Sequence, residues 1–115
     1  MKVLLDHNVD RRFRRHLPGH EIKTVREMRW ETLTNGDLLQ AAAAGGFEVL
    51  LSVDKKLQHE QNLKTLPLPI IVLDSISNAL PALIPFAPHV LALLQAPLPI
   101  ALHLIAADGS VTPVS

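Results

Sequence analysis

Apolar residues in this chain gather in short runs that end on carboxylates: "KVLL" before Asp6, "FEVLLSV" before Asp54 and "IIVL" before Asp74. Runs of this length, rich in Val, Ile and Leu, predict strands buried on both faces over 2–6, 47–54 and 70–74. "EIKTV" (21–25) alternates weakly and predicts a more exposed strand. Between the strands the period changes. Val9, Phe13 and Leu17 recur every four residues, so 8–17 reads as an amphipathic helix capped by Asn8 and stopped by Pro18-Gly19. "TNGDLLQAAAAGG" (34–46) has the highest helix propensity, with Thr34 or Asn35 as cap, Asp37 in the first turn and Gly45-Gly46 at the end. "KKLQHEQNL" (55–63) predicts a short helix, as do 80–85 and 88–95. "IALHLIAA" (100–107), the turn Asp108-Gly109 and "SVTPV" predict a terminal hairpin.

Strands that alternate with helices predict an α/β sandwich around a parallel sheet. The 115 residues contain no repeat, linker or low-complexity tract, which predicts a single domain, 1–115, large enough to bury a core. At 48% hydrophobic and 19% charged the composition is that of a globular chain. Eleven basic and eleven acidic residues cancel, so no whole-protein field draws in nucleic acid, and any such contact must be local. The absence of cysteine excludes disulfides, zinc-thiolate sites and thiol catalysis. "MKVLLD" meets an aspartate too early for a secretory signal core, so a cytoplasmic location is expected.

From Ser75 to Ala107 there is no Asp, Glu, Lys or Arg. A membrane span needs about 20 predominantly apolar residues. Here Pro81, Pro85, Pro88, Pro97 and Pro99 interrupt the run, so a membrane helix is not expected. The segment is instead expected to cover one side of the sheet and to offer a homodimer contact.

The strand-end aspartates carry the candidate chemistry. In a parallel α/β sheet the carboxyl ends of the strands share one edge, where such folds place their sites. If the strands of Asp6 and Asp54 are neighbours, their backbones lie about 4.8 Å apart. Two carboxylates about 4 Å apart repel by about 4 kcal/mol at an effective dielectric of 20. Such a pair needs a proton, a basic partner or a cation, and Mg²⁺ bound by one or two carboxylates plus substrate phosphates suits phosphodiester cleavage. The plainer alternative is that each aspartate caps the helix that follows its strand. Asp74, before "SISNAL", fits that role best.

"MKVLLDHNVDRRFRRHLPGHEI", "TNGDLLQAA" and "FEVLLSVDKKL", in this order and spacing, resemble the small PIN-like proteins, relatives of the PIN-domain nucleases. The resemblance covers about residues 1–74. It implies a three-layer α/β/α fold with an acidic pocket at the sheet edge. Active members of the family are Mg²⁺- or Mn²⁺-dependent ribonucleases, often the toxins of toxin–antitoxin pairs, so RNA and an antitoxin-like protein are the implied partners. The family's first aspartate falls on Asp6 and that of its central strand on Asp54, the implied catalytic metal ligands. The second-helix acid falls on Asn35, with Asp37 beyond it, and these two would complete the shell. The Glu that usually follows the first aspartate is His7 here, while the next Asn is kept as Asn8; the acid two residues after the strand aspartate is Lys56. This incomplete acidic set leaves a second reading, a binding module in which Lys56 neutralises the pocket.

Two basic clusters border the expected pocket. In "RRFRRH" Arg11 or Arg12 would meet a phosphate beside Asp6, against the alternative of a solvated basic face. After Asp54, Lys55, Lys56 and His59 form a polar helix face, and with Asn8 these residues make up the expected RNA-binding set. Trp30, the only tryptophan, is read as packing and not as a base-stacking platform.

Overall fold

The computed structural model describes residues 1–114. Six short strands form one sheet: β1 (Lys2–Leu5), β2 (Glu21–Thr24), β3 (Val49–Ser52), β4 (Ile70–Leu73), β5 (Leu102–Ile105) and β6 (Val111–Val114). Their order is β2-β1-β3-β4-β5-β6; all neighbours are parallel except β5 and β6. The apolar runs are buried on both faces because alternate side chains enter different cores. Val3, Leu5, Leu51, Ile71 and Leu73 face one core, whereas Leu4, Leu50, Ile70 and Val72 face the other. The first core is closed by Phe13, Leu17, Leu83, Phe86 and Val90, the second by Leu38, Leu39, Ala42, Leu57 and Leu68. Two helical layers thus sandwich a mainly parallel sheet, the α/β architecture expected from the sequence.

The helix α1 (Asn35–Ala44) begins as expected, and of the two candidate caps it uses Thr34, whose Oγ accepts the Asp37 N–H at 3.3 Å. Trp30 packs edge-on against Phe47, with ring centroids 5.9 Å apart, so it serves the core as expected.

Elsewhere the helices are shorter or tighter than expected. Residues 8–17 do not form an α-helix. The Val9 N–H closes a turn onto the Asp6 carbonyl at 3.0 Å, which takes up the residues that would have started it. A 3-10 helix over Arg11–His16 follows, capped by Asp10 and not by Asn8. The expected helix 55–63 is a single turn, α2 (Leu57–Glu60). Gln61 is extended, and Asn62 captures the Lys64 N–H with its own side chain at 3.1 Å. The uncharged segment carries α3 (Leu80–Leu83), a 3-10 turn at Ile84–Phe86 and α4 (Ala87–Leu93) in direct succession. Pro81, Pro85 and Pro88 each stand in the first turn of one of these pieces, where the missing N–H costs nothing. This segment covers one face of the sheet, as expected, and no helix among the described residues is long and apolar enough to cross a membrane.

The β5–β6 hairpin turns on Gly109, at φ 90°. The backbone conformation requires glycine, and a Cβ there would lie 2.4 Å from Cε1 of the His89 ring, which would have to swing aside.

Between β2 and α1 the chain makes one helical turn with a closure at each end. Thr24 Oγ accepts the Glu27 N–H at 3.0 Å, and a Glu27 carboxylate oxygen accepts the Thr24 N–H at 2.9 Å, a reciprocal capping box. At the other end the Trp30 N–H reaches the Val25 carbonyl and the Arg29 N–H the Arg26 carbonyl, both at 3.0 Å, in a Schellman arrangement. Arg29 holds the left-handed position that glycine usually fills, at φ 59°. Replacing it with glycine removes that strain at some cost in unfolded-chain entropy. Arg29→Gly is therefore expected to stabilise the fold by about 0.5–1 kcal/mol. A thermal melt in which this exposed substitution lowers the midpoint would show that the Arg29 side chain supports the turn in some other way.

Candidate functional site

The sheet reverses direction at β1: the chain moves outward to β2, then returns to β3 on the other side. Folds of this kind bind ligands beyond the carboxyl ends of the strands near such a reversal. Asp6 and Asp54 both stand there, at the ends of the paired strands β1 and β3.

Asp6 is buried, at 2% exposure, and its carboxylate is engaged by the chain itself. One oxygen accepts the His7 N–H at 2.8 Å and faces the His7 Nδ1 at 2.9 Å, while the other accepts the Ser52 Oγ–H at 2.8 Å. The Ser52 hydroxyl, wholly buried, also accepts the Asp54 N–H at 3.0 Å. One serine therefore ties the end of β1 to the residues leaving β3. The Asp54 carboxylate accepts the Lys56 N–H at 3.0 Å, while the Asp54 carbonyl accepts the Leu57 N–H at 3.2 Å. Asp54 thus closes the turn that leads into α2, whose own cap position, Lys56, has no side-chain cap bond. Asp74, expected to cap, instead pairs with Lys55 Nζ at 2.8 Å.

A cleft of about 940 Å³ opens beside Asp6, on the β2 side. Asp10, Arg11 and Arg14 of the 3-10 helix form one wall; Thr24, Arg26 and Glu27, on the doubly closed turn, form the other. His7 and Glu31 complete the rim. The ion pair from Arg14 Nη1 to Glu27 at 2.8 Å bridges the walls. Arg12 forks onto Asp10, with Nε and Nη2 at 3.1 and 2.7 Å from its two oxygens. That contact holds the Asp10 carboxyl down at about 2, below its ordinary 3.8. The Glu27 carboxyl is also held below its usual range, first by the Thr24 N–H and then by Arg14. A smaller cleft of about 320 Å³ lies on the far side of His7, bordered by Asn8 and Asn78.

These contacts redistribute the expected site residues. Asp6 and Arg11 share the larger cleft, and Asn8 lies in the smaller one. Asn35 and Asp37 line neither, Asp54 lines neither, and among the described residues no three Asp, Glu, His or Cys side chains converge to hold a metal ion. The expected shell of Asp6, Asp54, Asn35 and Asp37 is therefore not assembled: the first two face their own chain's donors, and α1 presents Asp37 to solvent. Lys56 does not neutralise the pocket. It is exposed and in no ion pair among the described residues, and His7 and Ser52 satisfy Asp6 instead. Arg12 is engaged by Asp10 and Lys55 by Asp74, while His59 lies exposed on α2 away from both clefts.

The sequence reading missed Asp10, Arg14, Arg26, Glu27 and Glu31 as cleft residues. One signal for them stands in the sequence: "TVRE" (24–27) has the spacing of a capping box directly after a strand. No family model, curated protein or solved structure matches this chain.

Proposed function

We propose that this protein is a cytoplasmic PIN-like module that binds RNA at the carboxyl edge of its sheet without cutting it. The observation that carries this reading is the engagement of Asp6 by His7 and Ser52, in the position where the resemblance implies a metal ligand. A hard divalent cation needs free oxygens, met by carboxylates, carbonyls, waters or substrate phosphates. Asp6 already accepts from its own chain on both oxygens, Asp54 closes the turn that leads into α2, and no further acid converges on them. Two carboxylates already turned to their own chain's donors make a poorer site for Mg²⁺ or Mn²⁺ than the four-residue shell that the resemblance implies. The charge gap over 75–107 is the basis for also proposing a protein partner there, a second copy or an antitoxin-like protein.

A metal-dependent ribonuclease, of the toxin type, is the second reading, favoured by the placement of Asp6 and Asp54 on adjacent strands. Melting curves with and without Mn²⁺ separate the two. An ion that binds only the folded state, at 100 times its dissociation constant, adds about 2.7 kcal/mol, which for a domain near this size raises the midpoint by roughly 10 °C. The binding module is expected to show no such rise, and to leave a labelled RNA intact. A rise of that size that disappears in Asp6→Asn, together with Mn²⁺-dependent cleavage, would establish the ribonuclease instead.

A further inference from the structure

We infer that the uncharged flank of the molecule is a twofold interface with a second copy of this chain, centred on antiparallel pairing of β6 with its counterpart; that a protein partner covers this flank rests on the reading above. The sheet has two edge strands, β2 and β6. On β2 the exposed Glu21 and Lys23 carry charge, and the outward N–H of Thr24 is taken by the Glu27 carboxylate at 2.9 Å. Charged side chains and occupied edge groups both keep another strand from adding there. β6 shows neither among the described residues. Val111, Thr112 and Pro113 are exposed, and residues 109–114 contain no Asp, Glu, Lys or Arg. The same absence runs from Ser75 to Ala107. These two stretches are joined in space, because the His89 ring of α4 lies against Gly109 at the hairpin turn. Asp108, between them, is engaged by Ser110, whose N–H and Oγ–H it accepts at 2.9 and 2.7 Å.

The register of the hairpin decides which groups face out. The Ala106 N–H bonds to the Ser110 carbonyl at 2.9 Å, and antiparallel pairs alternate between bonded and non-bonded. Leu104 and Thr112 are therefore a bonded pair, while Val111 and Pro113 turn their backbone groups away from β5. Pro113 has no N–H to offer, which leaves Val111 as the rung with both donor and acceptor. A second copy meets it in kind. Around a twofold axis at Val111, each Val111 N–H donates to the Val111 carbonyl of the other copy. Such a rung alone is a small contact, and specific interfaces bury about 1,200–2,000 Å². The helical layer supplies the rest. Val111 pairs with Ile105, so both side chains point to the face that α3 and α4 cover, and the same axis brings the two uncharged layers together. A strongly charged partner meets no counter-charge on this flank, whereas a second copy presents another uncharged surface and needs none.

The test uses the full chain in analytical ultracentrifugation across a concentration series: wild type, Val111→Lys and Val111→Glu each alone, and the two variants mixed. Val111 faces its own copy across the axis, so either charged variant meets a like charge directly opposite, and the mixture meets an unlike one. Wild type is expected to dimerise, each variant to do so at least about tenfold more weakly, and the mixture to recover dimer as the heterodimer. Glu21→Lys, on the guarded edge, is expected to keep wild-type association. A wild type that stays monomeric at the highest soluble concentration overturns the second copy, and leaves the RNA-binding reading to the Mn²⁺ and RNA experiments above. A dimer that both Val111 variants form as tightly as wild type, or that Glu21→Lys disrupts, places the interface elsewhere and overturns it too. Loss in both variants without recovery in the mixture overturns the pairing at Val111. Unchanged circular dichroism and melting of the dilute variants confirm that a loss of association reports the interface and not the fold.

Discussion

Phe13→Ala is expected to lower the melting midpoint by roughly 10–20 °C, the largest effect of any substitution considered for this chain. Phe13 is wholly buried, with Leu17 and Val9 beside it in the core on one face of the sheet. Truncating a buried phenylalanine costs about 3–5 kcal/mol, from lost transfer energy and the cavity left behind. The backbone has little with which to resist. A 3-10 helix has poorer hydrogen-bond geometry than an α-helix, and runs beyond three or four residues are uncommon. The six residues Arg11–His16 therefore hold their place mainly through Phe13 and the Asp10 cap. The consequence reaches the cleft, because the same helix carries Arg11 and Arg14 on its outer side. A midpoint shift of only a few degrees would mean that the helix is held by something other than this side chain. The wall of the cleft would then need another explanation.

Asp6→Ala is expected to destabilise the protein by about 2–3 kcal/mol, against about 1 kcal/mol or less for Asp54→Ala. The two aspartates differ in what their removal leaves unpaired. Removing the Asp6 carboxylate leaves the Ser52 hydroxyl, wholly buried, without its acceptor, and a stranded buried donor costs its full desolvation. The link from the end of β1 to the Asp54 N–H is weakened at the same time, because Ser52 mediates it. Asp54 is half-buried, and its carboxylate accepts one backbone N–H at the surface, which water replaces readily. Denaturant titration of both variants in metal-free buffer measures the difference directly. Equal losses would show that Ser52 is not stranded by the loss of Asp6, and a gain in stability for Asp6→Ala, through relief of charge repulsion, would indicate two carboxylates facing one another and favour the ribonuclease.

Several features of this protein are local, and the sequence alone determines them. Val, Ile and Leu in "KVLL", "VLLS" and "IIVL" have no polar face to offer water, so these strands must lie inside a sheet covered on both sides. Thr34 and the alanine-rich stretch behind it specify α1, and Asp108-Gly109 specifies the terminal turn, because caps and left-handed glycines act within a few residues. Asp6 at the edge of the sheet is legible for the same reason. Which charges remain free is not local. Asp6 meets Ser52 across 46 positions, Arg14 meets Glu27 across 13, and Lys55 meets Asp74 across 19. Each pairing removes a residue from the set available to a ligand, and none follows from the spacing of residues along the chain. The same holds for 8–17, whose four-residue period suits an α-helix until the turn at Asp6–Val9 shortens it. Sequence pattern reports which side chains leave water, and that is enough to build the layers. Only tertiary structure decides which polar groups satisfy one another, because a carboxylate's role depends on the donors that the folded chain brings within about 3 Å of it.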